Sequence, residues 1–282
     1  MRDDFAVLIP THGRPEVKTV ETLRKFNYTG KIYLILDNED DKELEYRIKH
    51  DNIVVFDKIA KAEAKDFDIG DNFTDRRVVV YARNECHKIA KELGLKYFLE
   101  LDDDYTSFLY RFEKDGKLGS KAIDMDKFID IAIDFLEESG ALTVCMAQGG
   151  DYIGGLDNTF WSKGLTRKAM NSFFCKTDRP FDFLGRINED TTAYVTHGHQ
   201  GKLFFTITNA MLTQGQTQKN EGGLTDIYLD KGTYVKSFYS VIFCPSAVKV
   251  ATMGANSRRI HHSIDWNACT PKILNEKHKK LE

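Results

Sequence analysis

Three consecutive carboxylates, Asp102-Asp103-Asp104, follow directly on the apolar run Tyr97-Phe98-Leu99-Glu100-Leu101. Side chains alternate faces along an extended chain, so continuation of that strand would turn Asp102 and Asp104 to one side and Asp103 to the other. Two like charges held that close repel unless a cation lies between them. An oxygen-only pair suits a hard divalent ion, Mg or Mn, with coordination sites left for water and phosphate oxygens. The carboxyl end of a strand in an open α/β sheet is also where ligands bind. A solvated acidic turn is the plain alternative; the buried strand in front of the triplet and the order of the remaining groups favour a site.

Other groups with chemical potential sit at further strand ends. The apolar run over residues 5–9 closes in Pro10-Thr11-His12-Gly13-Arg14-Pro15, a tight loop between a strand and a helix. Its backbone N–H groups and Arg14 are available to a phosphate or a nucleoside, although it has neither the Walker nor the Gly-x-Gly-x-x-Gly pattern. Asp37 follows the run at 32–36 and could meet a base or a ribose, or equally cap the polar helix over 42–49. Arg83 and Asn84 lie near the start of a helical period, where they could reach a ligand over the sheet edge or lie on a solvated face. Glu189 and Asp190 occupy the first turn of another expected helix, where the helix dipole favours negative charge.

The elements that must hold these groups can be read from periodicity and punctuation. Strands at 5–9, 32–36 and 53–56, each followed by polar or helical sequence, make βα units in succession and so a parallel sheet. Val17, Val20, Leu23 and Phe26 share one face of a helix with Pro15 in its first turn, ending before Gly30. Val79, Ala82, Cys86, Ile89, Ala90 and Leu93 form a second helical face, stopped by Gly94. The Asp115-Gly116 pair predicts a hairpin, then a helix over 126–138 ending at Gly140, then a strand over 141–146. A Gly-punctuated stretch from Gly149 to Gly164, with Asp151, Asn158 and Trp161, reads as a ligand-facing loop or as a plain linker. Strands at 203–208 and 210–212 follow, then a helix over 227–239 that cannot continue through Pro245.

Composition narrows the class. The chain has 282 residues, 41% hydrophobic and 29% charged, which argues against disorder and allows one large or two small domains. No apolar run approaches the roughly 20 residues needed to span a bilayer, and the first residues lead into a strand without an apolar signal segment, so the expected location is the cytoplasm. Cys86, Cys145, Cys175, Cys244 and Cys269 are odd in number and lack Cys-x-x-Cys spacing, which argues against a disulfide framework and a structural zinc. A net charge of −3 gives no global basic field, so any nucleic-acid contact must use a local patch.

The order of these groups resembles the GT-A family of nucleotide-sugar glycosyltransferases. More narrowly, the Ile9-to-Pro15 loop, the acidic triplet, Asn188-Glu189-Asp190 and the tail Arg258-Arg259-Ile260-His261-His262 followed by Pro271-Lys272-Ile273-Leu274 look like the TET-associated glycosyltransferases of phages. The resemblance implies a Rossmann-like, mostly parallel open sheet flanked by helices. It divides the chain into a domain over 1–250, with nucleotide-binding (1–105) and acceptor (106–250) halves, and a basic tail over 251–282 packing on the site. It implies a UDP-sugar donor held by Pro10, Thr11, Arg14, Asp37, Arg83, Asn84 and Asp103. A Mn or Mg ion would lie at Asp102 and Asp104, completed by His262 or His261, with Asp190, or else Glu189, as the catalytic carboxylate. The implied acceptor is a 5-hydroxymethylpyrimidine in DNA, with Arg258, Arg259, Lys272, Lys277, Lys279 and Lys280 meeting phosphates and Trp161 or Trp266 stacking on a base. A glycan or protein acceptor, a nucleotidyltransferase and a non-catalytic nucleic-acid-binding module are the alternatives.

Overall fold

The computed structural model describes residues 2–64, 67, 76, 78–158, 160–161, 165–166, 168–215, 235–253, 259–265 and 268–269. In chain order the elements are β1 (Phe5–Pro10), α1 (Lys18–Lys25), β2 (Lys31–Asp37), α2 (Glu43–Lys49), β3 (Ile53–Phe56), α3 (Lys58–Ala64), α4 (Val80–Glu92) and β4 (Tyr97–Leu101). Then come β5 (Tyr105–Lys114), β6 (Lys117–Ala122), α5 (Met125–Ser139), β7 (Thr143–Gln148), β8 (Leu165–Thr166), β9 (Ser172–Lys176), α6 (Glu189–His199) and β10 (Phe204–Gln214). The last are α7 (Val235–Phe243), β11 (Val248–Met253) and β12 (Arg259–Ile264).

Among the described residues one sheet runs in the order β3-β2-β1-β4-β9-β7-β10-β5-β6, with β8 paired to β10 outside that order. β1 pairs in parallel with both β2 and β4, β2 with β3, and β7 with β10. The α/β class read from the sequence is therefore what the chain forms, as a mixed sheet with its parallel half at the amino-terminal end. The central strands are apolar on both faces because helices cover both. Ala6, Leu8, Ile35 and Phe98 face a layer that contains α4, α6 and α7. Phe5, Val7, Ile9, Leu34 and Leu99 face a layer that contains α1, α2 and α5.

Local chemistry accounts for most of the boundaries. Asp124 caps α5 by accepting from the Lys127 amide at 3.3 Å, and Gly140 closes it at φ 64°. Asp115 and Gly116, both at positive φ, turn β5 into β6 as expected of an Asp-Gly pair.

Two expectations are corrected. Helix α1 starts at Lys18, not at Pro15, because the residues before it are held to α2: the Tyr46 hydroxyl accepts from the Arg14 amide at 2.7 Å, and His50 Nε2 lies 2.9 Å from the Pro15 carbonyl. The strands expected at 203–208 and 210–212 are one strand, β10, which absorbs the break as a register irregularity against β7 between Ile207 and Met211. Strand β9 was not foreseen; it inserts antiparallel between β4 and β7. Beyond α7, β11 and β12 form a hairpin against that helix. Residues 227–234 of the expected late helix lie outside the described residues, and α7 ends before Pro245. All five cysteines are buried, and none is in a disulfide. Among the described residues no helix is long and apolar enough to cross a membrane.

Candidate active site

The strand leading to the triplet stops at Leu101, and Asp103 and Asp104 form a turn before β5. Side-chain alternation therefore does not extend through the triplet, and each carboxylate has its own environment. Helix α1 fixes the backbone of the turn: the Thr19 amide donates to the Asp103 carbonyl at 3.2 Å, and the Thr19 hydroxyl donates to the Asp102 carbonyl at 2.6 Å. Asp103 turns to the first loop, accepting from the Thr11 hydroxyl at 2.8 Å and from Arg14 Nη1 at 2.9 Å. Asp102 accepts from Arg83 Nη2 at 2.6 Å and from the Tyr105 hydroxyl at 3.2 Å. Asp104 has no salt bridge among the described residues; burial, then the charges of Asp102 and Asp103, push its carboxyl up to about 6.

That pattern fits a hard cation. Asp104 is a half-buried carboxylate whose charge no side chain of the described residues pairs, beside a second carboxylate, and the donors are oxygens throughout. Among the described residues no group of three or more His, Cys, Asp or Glu side chains gathers to hold a metal. A cation at Asp102 and Asp104 would take the rest of its shell from water and substrate oxygens, as Mg does when it serves a phosphate.

The first loop and the ends of β2 and β3 form one polar network. Pro10 is the last residue of β1, and the Thr11 amide continues its pairing by donating to the Ile35 carbonyl at 3.1 Å. Thr11 spends its single proton on Asp103, so the Tyr46 hydroxyl, 3.1 Å away, donates to Thr11. Asp37 is 2.9 Å from His12 Nδ1 and 3.2 Å from Lys58 Nζ. Burial opposes the charge on Asp37, but the His12 bond and Lys58 hold it below the usual carboxylate range. The Asp37 bond in turn raises the His12 imidazole. Asp37 does not cap α2, whose N-cap Lys42 has no side-chain cap bond. Asp40 ties the loop down instead, accepting from the Gly13 amide at 2.8 Å and from the Lys42 amide at 2.9 Å. Arg14 Nε is buried without a hydrogen-bond partner among the described residues.

Arg83 is the centre of the site. Its side chain is 3% exposed, and its guanidinium donates to Glu189 Oε1 at 2.9 Å, Glu100 Oε1 at 2.6 Å and Asp102 Oδ1 at 2.6 Å. The planar fork of Arg spreads its N–H groups towards three separate acceptors, where a Lys would bring a compact point charge. Burial opposes its charge, but the three carboxylates hold it protonated. One guanidinium does not neutralise three acids, and burial pushes both Glu100 and Glu189 up to about 7 against its pull. Asn84, the neighbouring candidate, is clasped by Phe183, donating to its carbonyl at 2.9 Å and accepting from its amide at 2.7 Å. Both Arg83 and Asn84 thus face inward rather than lying on a solvated surface.

Helix α6 brings in the second pair of acids. Asn188 precedes it in the left-handed region, at φ 55°. Glu189 is committed to Arg83. Asp190 makes no salt bridge among the described residues; its Oδ1 accepts from the Thr191 amide at 2.6 Å, and burial raises its carboxyl. His262 comes from β12 to the same end of the helix, with Nδ1 at 3.4 Å from the Asn188 amide nitrogen. Burial, with the charges of His261 and Lys236, pushes its imidazole down to about 4. His261 Nδ1 lies 2.7 Å from the His262 carbonyl. Lys168 pairs with Asp151 at 2.5 Å, and its positive charge acts on both Asp190 and His262. Trp161 packs beside Tyr152, ring centroids 6.3 Å apart. Trp266, Arg258, Lys272, Lys277, Lys279 and Lys280 lie outside the described residues, as does the side chain of Arg259.

Sequence reasoning missed Glu100, Tyr46, Lys58, Tyr105 and Lys168. Glu100 had a signal, since an acid inside an apolar strand needs a buried partner. Lys58 stands just past β3, where the strand-end rule that selected Asp37 applies again. Tyr46, Tyr105 and Lys168 offered none.

An α/β sheet whose parallel strands carry polar loops and acidic groups at their carboxyl ends belongs to the class that binds ligands in the crevice there. The model of the TET-associated glycosyltransferase family matches residues 5–223, and the chain belongs to that family. The match takes in the sheet, the first loop, the acidic turn and α6, and ends before α7 and the β11–β12 hairpin. Among curated proteins none matches the chain.

Proposed function

We propose that this glycosyltransferase moves a sugar from a UDP-sugar to the hydroxyl of a 5-hydroxymethylpyrimidine in DNA. The observation that carries the reading is the Arg83 link, which joins the acidic turn at Asp102 to the Glu189-Asp190 turn of α6. A group suited to a diphosphate and a group suited to a proton are thereby held on one buried network.

In this reading Thr11, Arg14 and Asp37 line the donor side, and Arg14 offers its unpartnered Nε to an anion. Asp102 and Asp104 would hold Mn or Mg, which when bound neutralises charge on the diphosphate leaving group. Asp190 takes the proton of the acceptor hydroxyl as its oxygen bonds to the anomeric carbon, work that typically contributes a factor of ~10²–10⁴. Glu189 is the weaker candidate for the base because Arg83 already holds it. A one-step transfer assisted by a base inverts the anomeric centre. A base in a duplex must leave the stack to reach such a site, at a cost of a few kcal/mol.

The test offers 5-hydroxymethylcytosine DNA, 5-hydroxymethyluracil DNA and unmodified DNA with a panel of UDP-sugars and Mn, and reads mass gain on the nucleoside. A hexose added to a hydroxymethylated base, lost in Asp190→Asn with UDP binding retained, is the expected outcome. Transfer to a glycan or protein acceptor without transfer to DNA would overturn the acceptor and leave the transferase.

A further inference from the structure

The two acids of α6 are held at both ends of their helix by a part of the chain beyond the family match. At its start the Asn188 side chain reaches across to α7 and β12. Its Nδ2 donates to the Lys236 carbonyl at 2.7 Å and to the Ser240 hydroxyl at 3.3 Å, and lies 3.4 Å from His262 Nδ1. Helix α7 and β12 are themselves joined, the Ser237 hydroxyl donating to the Ile260 carbonyl at 2.9 Å. Near the other end of α6, a Cβ on Gly198 would stand 2.5 Å from the Cys269 carbonyl oxygen, so backbone from the C-terminal region lies directly on the helix. Asn188 also has a backbone reason to be where it is. It occupies the left-handed region, which Asn tolerates far better than most residues, and its carbonyl accepts from the Thr192 amide at 2.9 Å in the first turn.

We infer that Asn188 is a positioning residue for the Glu189-Asp190 turn, and that α7 and the β11–β12 hairpin act on the reaction by clasping its amide, with His262 serving that clasp. Fixing both ends of α6 keeps its acids in register with the buried Arg83, and an error of about 1 Å in such a place can cost 10²-fold in rate. The inference rests on the reading of Asp190 as the group that takes the proton. The Asn188 amide has two N–H groups for three neighbours, so one points to the Lys236 carbonyl at 2.7 Å and the other is shared between the Ser240 hydroxyl at 3.3 Å and His262 Nδ1 at 3.4 Å.

Hydrogen exchange on the full chain tests the clasp without any substrate. Asn188→Gly keeps the backbone conformation and removes the amide, and Gly198→Ala presses a methyl group into the Cys269 carbonyl. Both should raise exchange in the peptide covering residues 189–195 by about tenfold or more while β1 and β4 stay protected. Unchanged exchange at 189–195 in Asn188→Gly overturns the inference. Should that variant fail to fold, Asn188→Asp, which keeps the preference for this backbone but cannot donate, carries the same expectation and the same refutation.

Turnover then connects the clasp to chemistry, with UDP-glucose and 5-hydroxymethylcytosine DNA as the probes. Asn188→Gly should lower kcat on the order of 10- to 100-fold, with UDP affinity within about twofold of the parent. His262→Ala should do the same and His262→Asn, whose amide oxygen can stand where Nδ1 does, should restore much of the rate. Mn affinity that falls in step with kcat in His262→Ala would make His262 a metal ligand and overturn its part in the clasp. Asp190→Asn separates the two readings. If it keeps turnover, the proton-acceptor reading fails; if it is inactive while Asn188→Gly turns over at the parent rate, the clasp inference fails.

Discussion

Arg83 decides more at the residue scale than any other side chain. It is buried among Glu100, Asp102 and Glu189, and removing it leaves two buried acids and the partly exposed Asp102 without their shared cation. Breaking a buried ion pair from one side typically costs 3–5 kcal/mol. Arg83→Gln should therefore lower unfolding stability by about that much in urea titration. Arg83→Lys should recover part of it, because one ammonium cannot serve three acceptors in the plane that a guanidinium does. The same network sets a pH dependence. Glu100 and Glu189 titrate near 7 in the folded protein against an ordinary value of 4.5, so the folded state holds protons that the unfolded chain has lost. Their contribution is fully present below about 4.5 and lost as pH rises through about 7. Asp37, held below its ordinary 3.8, acts in the opposite sense and only at lower pH. Thermal stability should fall between pH 5 and pH 8, and Glu100→Gln should flatten that slope. An equally steep slope in the variant would show that Glu100 does not carry it.

Among the elements, those that carry the site can be separated from those that only support it. Helix α5 packs on the face of the sheet that holds α1 and α2, and its ends follow from its own sequence: an Asp124 cap, an apolar face and Gly140. Asp124→Ala should cost about 1 kcal/mol in stability, the usual worth of an N-cap, with no change in UDP affinity or turnover. A loss of activity there would mean that α5 reaches the site by a route the contacts do not reveal. Helices α1, α4 and α6 are different, since each supplies a group to the acidic turn or its network: Thr19, Arg83 and Glu189. These are contacts between elements far apart in sequence, Arg83 and Glu189 being separated by 106 positions. Periodicity locates such helices but says nothing of which of their polar residues will meet.

At the scale of the whole molecule, Asp104 weighs stability against the role proposed for it. A half-buried carboxylate beside two others destabilises the fold that holds it, and its raised titration point is the mark of that cost. Asp104→Asn should raise the melting temperature in EDTA, because it removes an unpaired charge. In the parent, Mn at about 100 times its Kd should stabilise by about 2.7 kcal/mol, and the variant should lose most of that gain in a thermal-shift titration. A parent protein indifferent to Mn and Mg, with full turnover in EDTA, would remove the metal from the mechanism. The family match ends at residue 223, whereas the structure lays α7 and the hairpin against α6. The working unit therefore extends beyond the matched residues.

What the sequence determined by itself was local. Buried strands at the start of the chain, the Asp-Gly hairpin, the stop at Gly94 and the acidic strand end follow from side-chain alternation, from residues that tolerate positive φ, and from the contrast between an apolar run and three charges. The order of motifs was likewise legible and led to the family. Only the tertiary structure decided which carboxylate faces which partner. Asp103 faces Thr11 and Arg14, Asp102 faces Arg83, and Asp104 has no salt bridge among the described residues, because a turn and not a strand carries the triplet, and a turn has no fixed alternation. It also decided that Glu189 is bound while Asp190 has no salt bridge among the described residues, and that Asn188 is held from α7 and β12. Those outcomes depend on ion pairs and hydrogen bonds between positions tens of residues apart, and no sequence period records a distance in space.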